Sequence, residues 1–227
     1  MVAGIAVIIA VRDGARYLPD ALASVAEQTV AAAEVIVVDD GSTDGSGAVA
    51  SRCAPSARVL TQPPTGYAAA VNHAIAAATS PLLAFLDADD RWSQESLACR
   101  LDRLHEDDAP EVVVGATQNY VSPDLTDAEA SGIRVLSRTF QAELLTAALV
   151  RADVFDRVGP LDEALRTGSA IDWISRARSA GVGFAHVDDL VLHRRLHASN
   201  LGRSQQEDRN TELLRIVRAH HARRRAT

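Results

Sequence analysis

The sequence predicts an α/β protein with a doubly wound, mainly parallel sheet flanked by helices. Over the first 120 residues, short apolar runs alternate with segments whose apolar residues recur at helical spacing. This alternation is typical of β-α-β units, in which neighbouring strands run parallel. Two of the apolar runs end in clustered acids. In sheets of this class, ligands bind beyond the carboxyl ends of the strands, so the acids mark a candidate site.

The first half of the chain supplies five predicted strands, separated by predicted helices. Pro19 suits the first turn of a helix, and Ser93 is a residue type that often caps a helix. The strands are predicted at Ile5–Val11, Val35–Val38, Arg58–Thr61, Leu82–Leu86 and Glu111–Val114. The helices are predicted from Leu18, at Ser46–Arg52, after Gly66 and after Ser93.

The alternation ends after Tyr120. A polar, acidic stretch at 122–132 follows, and long loops of this kind often form lids or binding loops. Gly181 is a predicted C-cap for a late helix. The remaining predicted strands are Leu144–Val150, Gly183–Val187 and Leu190–Leu196, and the remaining helices are Ile171–Ala180 and Arg209–Arg225.

Length and composition favour a single globular domain. The chain has 227 residues, 47% of them hydrophobic, which is enough for a sizeable core. The net charge of −7 argues against nucleic acid as a general partner. The longest apolar stretch is too short to cross a bilayer and no signal-peptide pattern is present, so we expect a cytoplasmic protein. Cys53 and Cys99 lack metal-ligand spacing and are interpreted as free thiols in or near the core.

Three carboxylates follow the predicted strand Leu82–Leu86 directly, at Asp87, Asp89 and Asp90. Carboxylates this close raise one another's pKa unless a cation neutralises them. A hard divalent ion that carries phosphate oxygens is the natural partner. The alternative interpretation is a set of solvated acids at a helix N-terminus capped by Ser93.

A second acidic pair, Asp39 and Asp40, ends the strand Val35–Val38. Two acidic clusters at strand ends predict a cleft for a nucleotide and a metal ion. Gly41, Gly45 and Gly47 do not form G-x-G-x-x-G, and no G-x-x-x-x-G-K-[ST] occurs. Classical dinucleotide and P-loop phosphate sites are therefore disfavoured.

Four segments resemble the family 2 glycosyltransferases, which have the fold known as GT-A. They agree in spacing as well as in motif, and they lie within the first 165 residues. The segments are IAVIIAVRDGARYLPDALASVAEQT, VIVVDDGSTDGS, GYAAAVNHAIAAATSPLLAFLDADDRW and FDRVGPLDEAL. The resemblance implies transfer of a sugar from a nucleoside-diphosphate sugar, usually UDP-linked, with inversion and with Mg²⁺ or Mn²⁺ as cofactor.

The same resemblance implies roles for individual residues. Asp39 would accept a hydrogen bond from the base, typically uracil. Asp87 and Asp89 correspond to the D-x-D element, in which Asp87 contacts ribose or metal and Asp89 coordinates the metal on the diphosphate. The other donor-binding candidates are Ala10, Val11, Arg12, Asp40, Asn72, Ala88, Arg195 and His197.

The chain departs from the family pattern at the catalytic base. Many members have an E-D pair where this chain has Ser169 and Ala170. Asp172 is the nearest remaining carboxylate. It is either the base that deprotonates the acceptor or a helix N-terminal acid stabilised by the helix dipole.

Two further candidates also carry open alternatives. Many members have an Arg where this chain has Val71, directly before Asn72. In relatives, an H-x-x-N segment closes over the donor, and its His or Arg reaches the metal or diphosphate. In this chain the corresponding residues are Arg195 and His197, for which the alternative is an exposed polar strand end.

We therefore expect a metal-dependent, inverting glycosyltransferase in one domain. Residues 1–120 form the nucleotide-sugar-binding half, 121–202 a smaller acceptor-side half, and 203–227 a basic helix that packs on its own domain or forms a homodimer. The acceptor is unknown (a saccharide, lipid, peptide or natural product). The alternatives are a nucleotide-sugar-binding pseudoenzyme, because the E-D pair is missing, and a nucleotidyltransferase-like enzyme. The latter would show a basic, Gly-rich loop that Ile5–Arg16 lacks.

Overall fold

The computed structural model describes residues 4–126 and 138–197, together with Glu212 and Ile216. Within these ranges, eight strands form one sheet flanked by helices. The strands are β1 Ile5–Val11, β2 Glu34–Asp40, β3 Arg58–Gln62, β4 Leu82–Phe85, β5 Arg91–Trp92, β6 Val112–Val121, β7 Ala148–Arg151 and β8 Phe184–Leu196. The α-helices are α1 Leu18–Ala26, α2 Ser46–Cys53, α3 Tyr67–Ala77, α4 Ser96–Leu104, α5 Asp153–Val158 and α6 Ser169–Ser179, and a 3₁₀ turn spans Leu145–Ala147.

The sheet is mixed but mainly parallel, which confirms the predicted fold class. Its strand order is β3-β2-β1-β4-β7-β6-β8-β5. The parallel pairs are β1 with β2 and β4, β2 with β3, and β6 with β8. Strand β7 runs antiparallel to β4 and β6, and β5 runs antiparallel to β8. Six strands therefore point one way and two point the other.

The core lies on both faces of the central strands, because these strands are apolar throughout. Every residue of β4 is buried, and so is every residue of β1 except Ala10. Helix α4 turns Leu97, Leu101 and Leu104 to the core at the helical spacing that the sequence predicts. Both cysteines are free thiols as predicted, but Cys53 is exposed at the end of α2 and not in the core.

The start of α4 differs from the prediction. The helix begins at Ser96 with Glu95 at the N-cap position, so Ser93 is not its cap. The Ser93 hydroxyl instead lies 3.0 Å from Nε2 of His193, on the strand that pairs with β5. The Ser93 side chain therefore contacts His193 of the neighbouring strand instead of capping α4.

The second half of the sheet also differs from the sequence pattern. The predicted strand Leu144–Val150 divides into the 3₁₀ turn and β7. The two predicted strands near the C-terminus are one strand, β8, whose register with β6 shifts between Val114 and Thr117. At this irregularity a Cβ on Gly115 would lie 2.4 Å from Cγ1 of Val191, so only glycine fits there.

Helix α6 ends as the sequence predicts. Gly181 has a φ of +75°, and the next amide, of Val182, donates to the carbonyl of Ala177 at 3.1 Å. This is the left-handed glycine termination of a helix.

Parts of two predictions lie outside the described residues. They are positions 127–132 of the predicted loop and the basic C-terminal helix apart from Glu212 and Ile216, which are both helical. The predicted homodimer stays a prediction. No helix in the described part of the chain combines the length and the apolar character that crossing a membrane requires.

Candidate active site

The two acidic segments meet at one edge of the sheet, on either side of β1. Val11 pairs with Asp39 of β2. On the other side, the amide of Leu86 donates to the carbonyl of Ile8 at 3.0 Å, so the chain leaves β4 beside the same end of β1. Asp39 and Asp87 thus emerge at the same edge, as expected for the carboxyl ends of parallel strands.

A tight turn after β4 gathers three carboxylates. The amide of Asp90 donates to the carbonyl of Asp87 at 3.1 Å, which closes the turn. Asp87, Asp89 and Asp90 each offer an oxygen, and these oxygens all lie within 4.8 Å of one another. Asp90 is 2% exposed, so the alternative of solvated acids at a helix start does not describe it. Oxygen ligands at this spacing fit a hard divalent cation such as Mg²⁺ or Mn²⁺.

Burial and the repulsion between neighbouring carboxylates raise the pKa of Asp87 and of Asp90. Burial, reinforced by the negative charge of Asp89, raises the pKa of Asp87 to about 7, against the opposing influence of Arg194 and a hydrogen bond from Tyr67. Burial and the charges of Asp89 and Asp87 hold the pKa of Asp90 well above its usual range. A divalent cation at this position would favour the ionised carboxylates, since it supplies the missing positive charge.

Tyr67, which sequence analysis missed, donates a hydrogen bond to the acid cluster from the first turn of α3. Burial and the charge of Asp87 hold the pKa of the Tyr67 phenol well above 10, so it stays a neutral donor near pH 7. A tyrosine at the start of a helix carries no sequence signal that points to this contact.

Arg195 ties the acidic turn to the surrounding elements. Its guanidinium donates to the carbonyl of Asp89 at 2.9 Å, to the carboxylate of Asp20 at 2.6 Å and to the Ser122 hydroxyl at 3.3 Å. Its amide donates to the Asp90 carboxylate at 2.7 Å. Arg195 is 5% exposed. These contacts position the acids, and the predicted contact with the donor stays a prediction.

His197 lies beside the predicted metal ligand. Its Nε2 is 2.8 Å from Oδ2 of Asp89, and its ring centroid is 4.6 Å from that of Tyr17. His197 is buried, with 5% exposure. The alternative of an exposed polar strand end therefore does not fit, while its role toward the donor stays a prediction.

Asp39 and Asp40 are neighbours with different surroundings. Asp39 accepts the Ser42 amide at 2.8 Å, and a Cβ on Gly47 would lie 2.6 Å from its other oxygen. Asp40 accepts the amides of Thr65 at 2.8 Å and Gly66 at 2.9 Å. It also accepts the side chain of Gln62 at 2.8 Å, so its carboxylate holds the turn before α3.

The loop after β1 is fastened to the loop after β2 through Asp13, which sequence analysis also missed. Asp13 has a φ of +49° and accepts the Thr43 amide at 2.7 Å, while its own amide donates to the Ser42 hydroxyl at 3.0 Å. The Gly14 amide donates to the Ser46 hydroxyl at 3.0 Å. The signal in the sequence is an Asp-Gly pair one residue after a strand, which favours turns with positive φ.

The remaining candidates around this edge have mixed exposure. Val11 is buried in the core, whereas Arg12 is exposed. Ala10 and Ala88 are half-buried. The Asn72 amide group donates to the carbonyl of Leu161 at 2.9 Å and its oxygen accepts the Leu161 amide at 2.9 Å, so Asn72 joins α3 to the segment between α5 and α6.

Asp172 lies in the first turn of α6 and is 8% exposed. Its Oδ2 accepts the Arg176 Nε at 2.7 Å, one helical turn along. Arg176 also donates to the carbonyls of Val158 at 2.6 Å and Pro160 at 2.7 Å. Both interpretations of Asp172, as a base and as a helix N-terminal acid, are compatible with this position.

The sequence matches a known family over most of this architecture. Residues 6–158, which include β1 from its second residue, both acidic segments and β7, match the model of the family described as glycosyl transferase family 2. The chain belongs to glycosyl transferase family 2. The predicted glycosyltransferase is therefore confirmed at the level of the family.

Curated relatives are also named as glycosyltransferases. A glycosyltransferase of Nostoc sp., itself uncharacterized, is 42% identical over 97 residues, which are 41% of this chain and 30% of the relative. The glycosyltransferase GlyG of Streptococcus pneumoniae is 32% identical over 124 residues, 53% of this chain and 41% of GlyG. The chain thus spans less than half the length of either relative.

Solved structures confirm the GT-A fold of this family 2 member. S. aureus TarS, solved in complex with UDP, superposes with a TM-score of 0.69 and 18% identity, over 96% of this chain and 65% of that one. The mannosyltransferase PcManGT from Pyrobaculum calidifontis, solved with GDP-Man and Mn²⁺, gives 0.64 and 21% identity, over 89% of this chain and 59% of that one.

Proposed function

We propose that this chain transfers a sugar from a nucleoside-diphosphate sugar, with a divalent cation held by Asp87 and Asp89. One observation carries the proposal: three carboxylate oxygens within 4.8 Å at the sheet edge that also presents Asp39. Such a set accepts a cation and, through it, a diphosphate. The TarS structure with UDP and the PcManGT structure with GDP-Man and Mn²⁺ support this class of ligand.

Each acidic group has a distinct task in the proposed reaction. Asp39 accepts a hydrogen bond from the base, for which we propose uracil. Asp87 and Asp89 hold Mg²⁺ or Mn²⁺, which, when bound, supplies Lewis-acid stabilisation of the charge on the leaving diphosphate. Tyr67 and Arg195 keep these two carboxylates in place by hydrogen bonds to Asp87 and to the Asp89 backbone.

The proposed displacement is a single step with inversion. The acceptor oxygen forms a bond to the anomeric carbon while the bond from that carbon to the diphosphate oxygen breaks. Asp172 receives the proton that the acceptor hydroxyl loses. General-base catalysis of this kind contributes about 10²- to 10⁴-fold to a rate.

A second candidate function is a nucleotide-sugar-binding protein without turnover. The E-D pair of other members falls on Ser169 and Ala170 here, and the Asp172 carboxylate is already paired with Arg176 at 2.7 Å. The positions of the donor-binding acids Asp39, Asp87 and Asp89 do not depend on the E-D pair. This candidate therefore shares the binding site and differs only in the chemistry.

The two candidates separate in a turnover experiment. A panel of UDP- and GDP-sugars with Mn²⁺ is tested for sugar transfer to water, which needs no knowledge of the acceptor. We expect hydrolysis by the wild type, and Asp172→Asn lowers its kcat by about 10²-fold or more while the donor Kd stays unchanged. Binding without hydrolysis favours the second candidate, and full activity of Asp172→Asn assigns the base elsewhere.

A further inference from the structure

Glu212 reaches from the C-terminal part of the chain to the start of α6. Its Oε1 accepts the Arg166 amide at 2.7 Å. Its Oε2 accepts the Thr167 amide at 2.9 Å, the Thr167 hydroxyl at 2.8 Å and the Gly168 amide at 2.9 Å. With 7% exposure, this carboxylate is buried and receives donors at both oxygens.

The contact answers a need of the helix itself. Gly168 is the N-cap of α6, and its amide is one of the N-terminal amides that have no partner within a helix. Glu212 accepts this amide and the amides of the two residues before it. A carboxylate at this end is favoured by the helix dipole, and charge-assisted hydrogen bonds are the stronger kind. Glu212 thus caps α6 at the Gly168 amide, from a distant part of the chain.

Packing around Gly168 shows that the docking is close. Ile216 lies four positions after Glu212 in the chain and is 5% exposed. A Cβ on Gly168 would lie 2.8 Å from Cδ1 of Ile216, so the backbone itself forms the contact surface. The Ile216 side chain and the hydrogen-bonded Glu212 carboxylate therefore both lie against Gly168.

The same turn carries Asp172. The carbonyl of Gly168 accepts the Asp172 amide at 2.9 Å, in the first hydrogen bond of the helix. The Asp172 side chain is fixed from the other side by Arg176. The backbone of this turn is thus held at Gly168 by Glu212, and its side chain is oriented by Arg176.

We propose that Glu212 is a positioning residue, which sets the first turn of α6 and thereby the place of the Asp172 carboxylate. The proposal rests on the proposed function of Asp172 as the base. The donor-binding acids lie at the ends of β2 and β4 and not on α6, so Glu212 governs the rate of transfer and not the affinity for the donor.

A graded pair of variants tests this proposal in the full chain. Glu212→Ala removes every hydrogen bond to 166–168, whereas Glu212→Gln keeps one oxygen and part of the set. We expect kcat for transfer to water to fall by about 10-fold or more in Glu212→Ala and by less in Glu212→Gln, since small misplacements of a catalytic group cost rate steeply. Calorimetry with UDP and Mn²⁺ should give an unchanged Kd. Asp107→Asn, at an exposed acid, is the control that changes neither.

Hydrogen exchange gives a readout that does not depend on activity. The amides of Gly168 and Asp172 should exchange faster in Glu212→Ala, while those of β1 and β4 keep their rates. Wild-type kcat in Glu212→Ala overturns the proposal. Weaker UDP binding together with faster exchange throughout the sheet overturns it as well, because Glu212 would then stabilise the fold as a whole.

A double variant separates this proposal from the assignment of the base. If Glu212 acts through Asp172, Glu212→Ala adds no further loss of kcat in the Asp172→Asn background. An equal loss in both backgrounds overturns the positioning role. If Asp172→Asn alone retains full activity, the base assignment fails, and with it the coupling to catalysis. If Asp172→Asn is slow but Glu212→Ala is fast, only the positioning role fails.

Discussion

Asp39 and Asp40 are adjacent, both buried, and differ in what they hold. Successive residues of a strand point to opposite faces, so only one of the two can face a given pocket. The Asp40 carboxylate accepts hydrogen bonds from the backbone amides of the turn at 65–66, where Gly66 has a φ of +105°. Asp39 accepts one amide and is packed against Gly47. Two adjacent aspartates in the sequence predict an acidic strand end, but they do not predict that Asp39 and Asp40 have different hydrogen-bond partners.

The division predicts opposite effects of two equivalent substitutions. Asp40→Ala leaves the Thr65 and Gly66 amides without their acceptor and should lower the free energy of unfolding by about 2–4 kcal/mol. It should leave the preference between UDP and GDP unchanged. Asp39→Ala should weaken UDP binding by about tenfold or more, with a smaller loss of stability. Urea unfolding and calorimetry on both variants check this, and an Asp40→Ala protein that is stable but fails to bind UDP would contradict it.

At the scale of elements, the carboxyl end of β8 supports the turn that follows β4. Arg195 and His197 stand two positions apart, on the same side of an extended chain, and both reach the 89–90 turn. The sequence shows four basic residues near this strand end, His193, Arg194, Arg195 and His197. Which of them meets the acids depends on the register of β8 with β6, and that register shifts at an irregularity which the sequence pattern does not specify.

Replacing the Arg195 guanidinium tests whether β8 supports the acidic turn. Arg195→Lys keeps the charge but loses the planar arrangement that reaches Asp89, Asp20 and Ser122 together. We expect the Mn²⁺-dependent affinity for UDP to fall by about tenfold, and the free energy of unfolding by about 1–3 kcal/mol. Arg52→Lys, on an exposed side chain of α2, is the matched control. Wild-type affinity for UDP in Arg195→Lys would show that the acidic turn keeps its conformation without the guanidinium contacts.

The docking of Glu212 on α6 predicts a pH dependence of stability. Burial alone would raise the pKa of Glu212, but hydrogen bonds from 166–168 outweigh it and hold that pKa below its usual range. The folded protein therefore binds this proton less tightly than the unfolded chain. The stabilisation is present above the unfolded pKa of about 4.3 and is lost as pH falls through the lower folded value.

The measurement compares wild type with Glu212→Gln, which does not titrate. The difference in their free energies of unfolding should be constant near pH 6–7 and shrink as the pH falls below about 4. Urea unfolding from pH 3 to 7 gives this difference directly. A difference that is independent of pH over that range would mean that the carboxylate charge contributes nothing to the docking.

At the scale of the whole molecule, the sequence predicts the first half of the fold better than the second. From β1 to α4 each element except the two-residue strand β5 follows from local periodicity, and parallel strands bring their carboxyl ends to one edge without further information. Three features of the second half depend on residues far apart in the chain. Strand β7 runs antiparallel between β4 and β6, two predicted strands form the single strand β8, and Glu212 caps α6. Asp13 and Glu212 were missed for the same reason, since their partners lie about 30 and 45 positions away.

The topology also explains why the acidic clusters meet. Strand β1 lies between β2 and β4 in the sheet, so the two segments that follow those strands become neighbours across a single strand. The claim that these segments grip a cation-bridged diphosphate is central to the proposed function. It depends on Asp89 as the metal ligand, supported by His197 at 2.8 Å.

Calorimetry of UDP binding with and without Mn²⁺, on wild type and Asp89→Ala, tests that claim most directly. The expected result is that Mn²⁺ tightens UDP binding to the wild type by about tenfold or more and that Asp89→Ala abolishes the enhancement. Asp102→Asn, at an exposed acid of α4, should keep it. Equal UDP affinity with and without Mn²⁺ in the wild type, or a full Mn²⁺ effect in Asp89→Ala, would contradict the account.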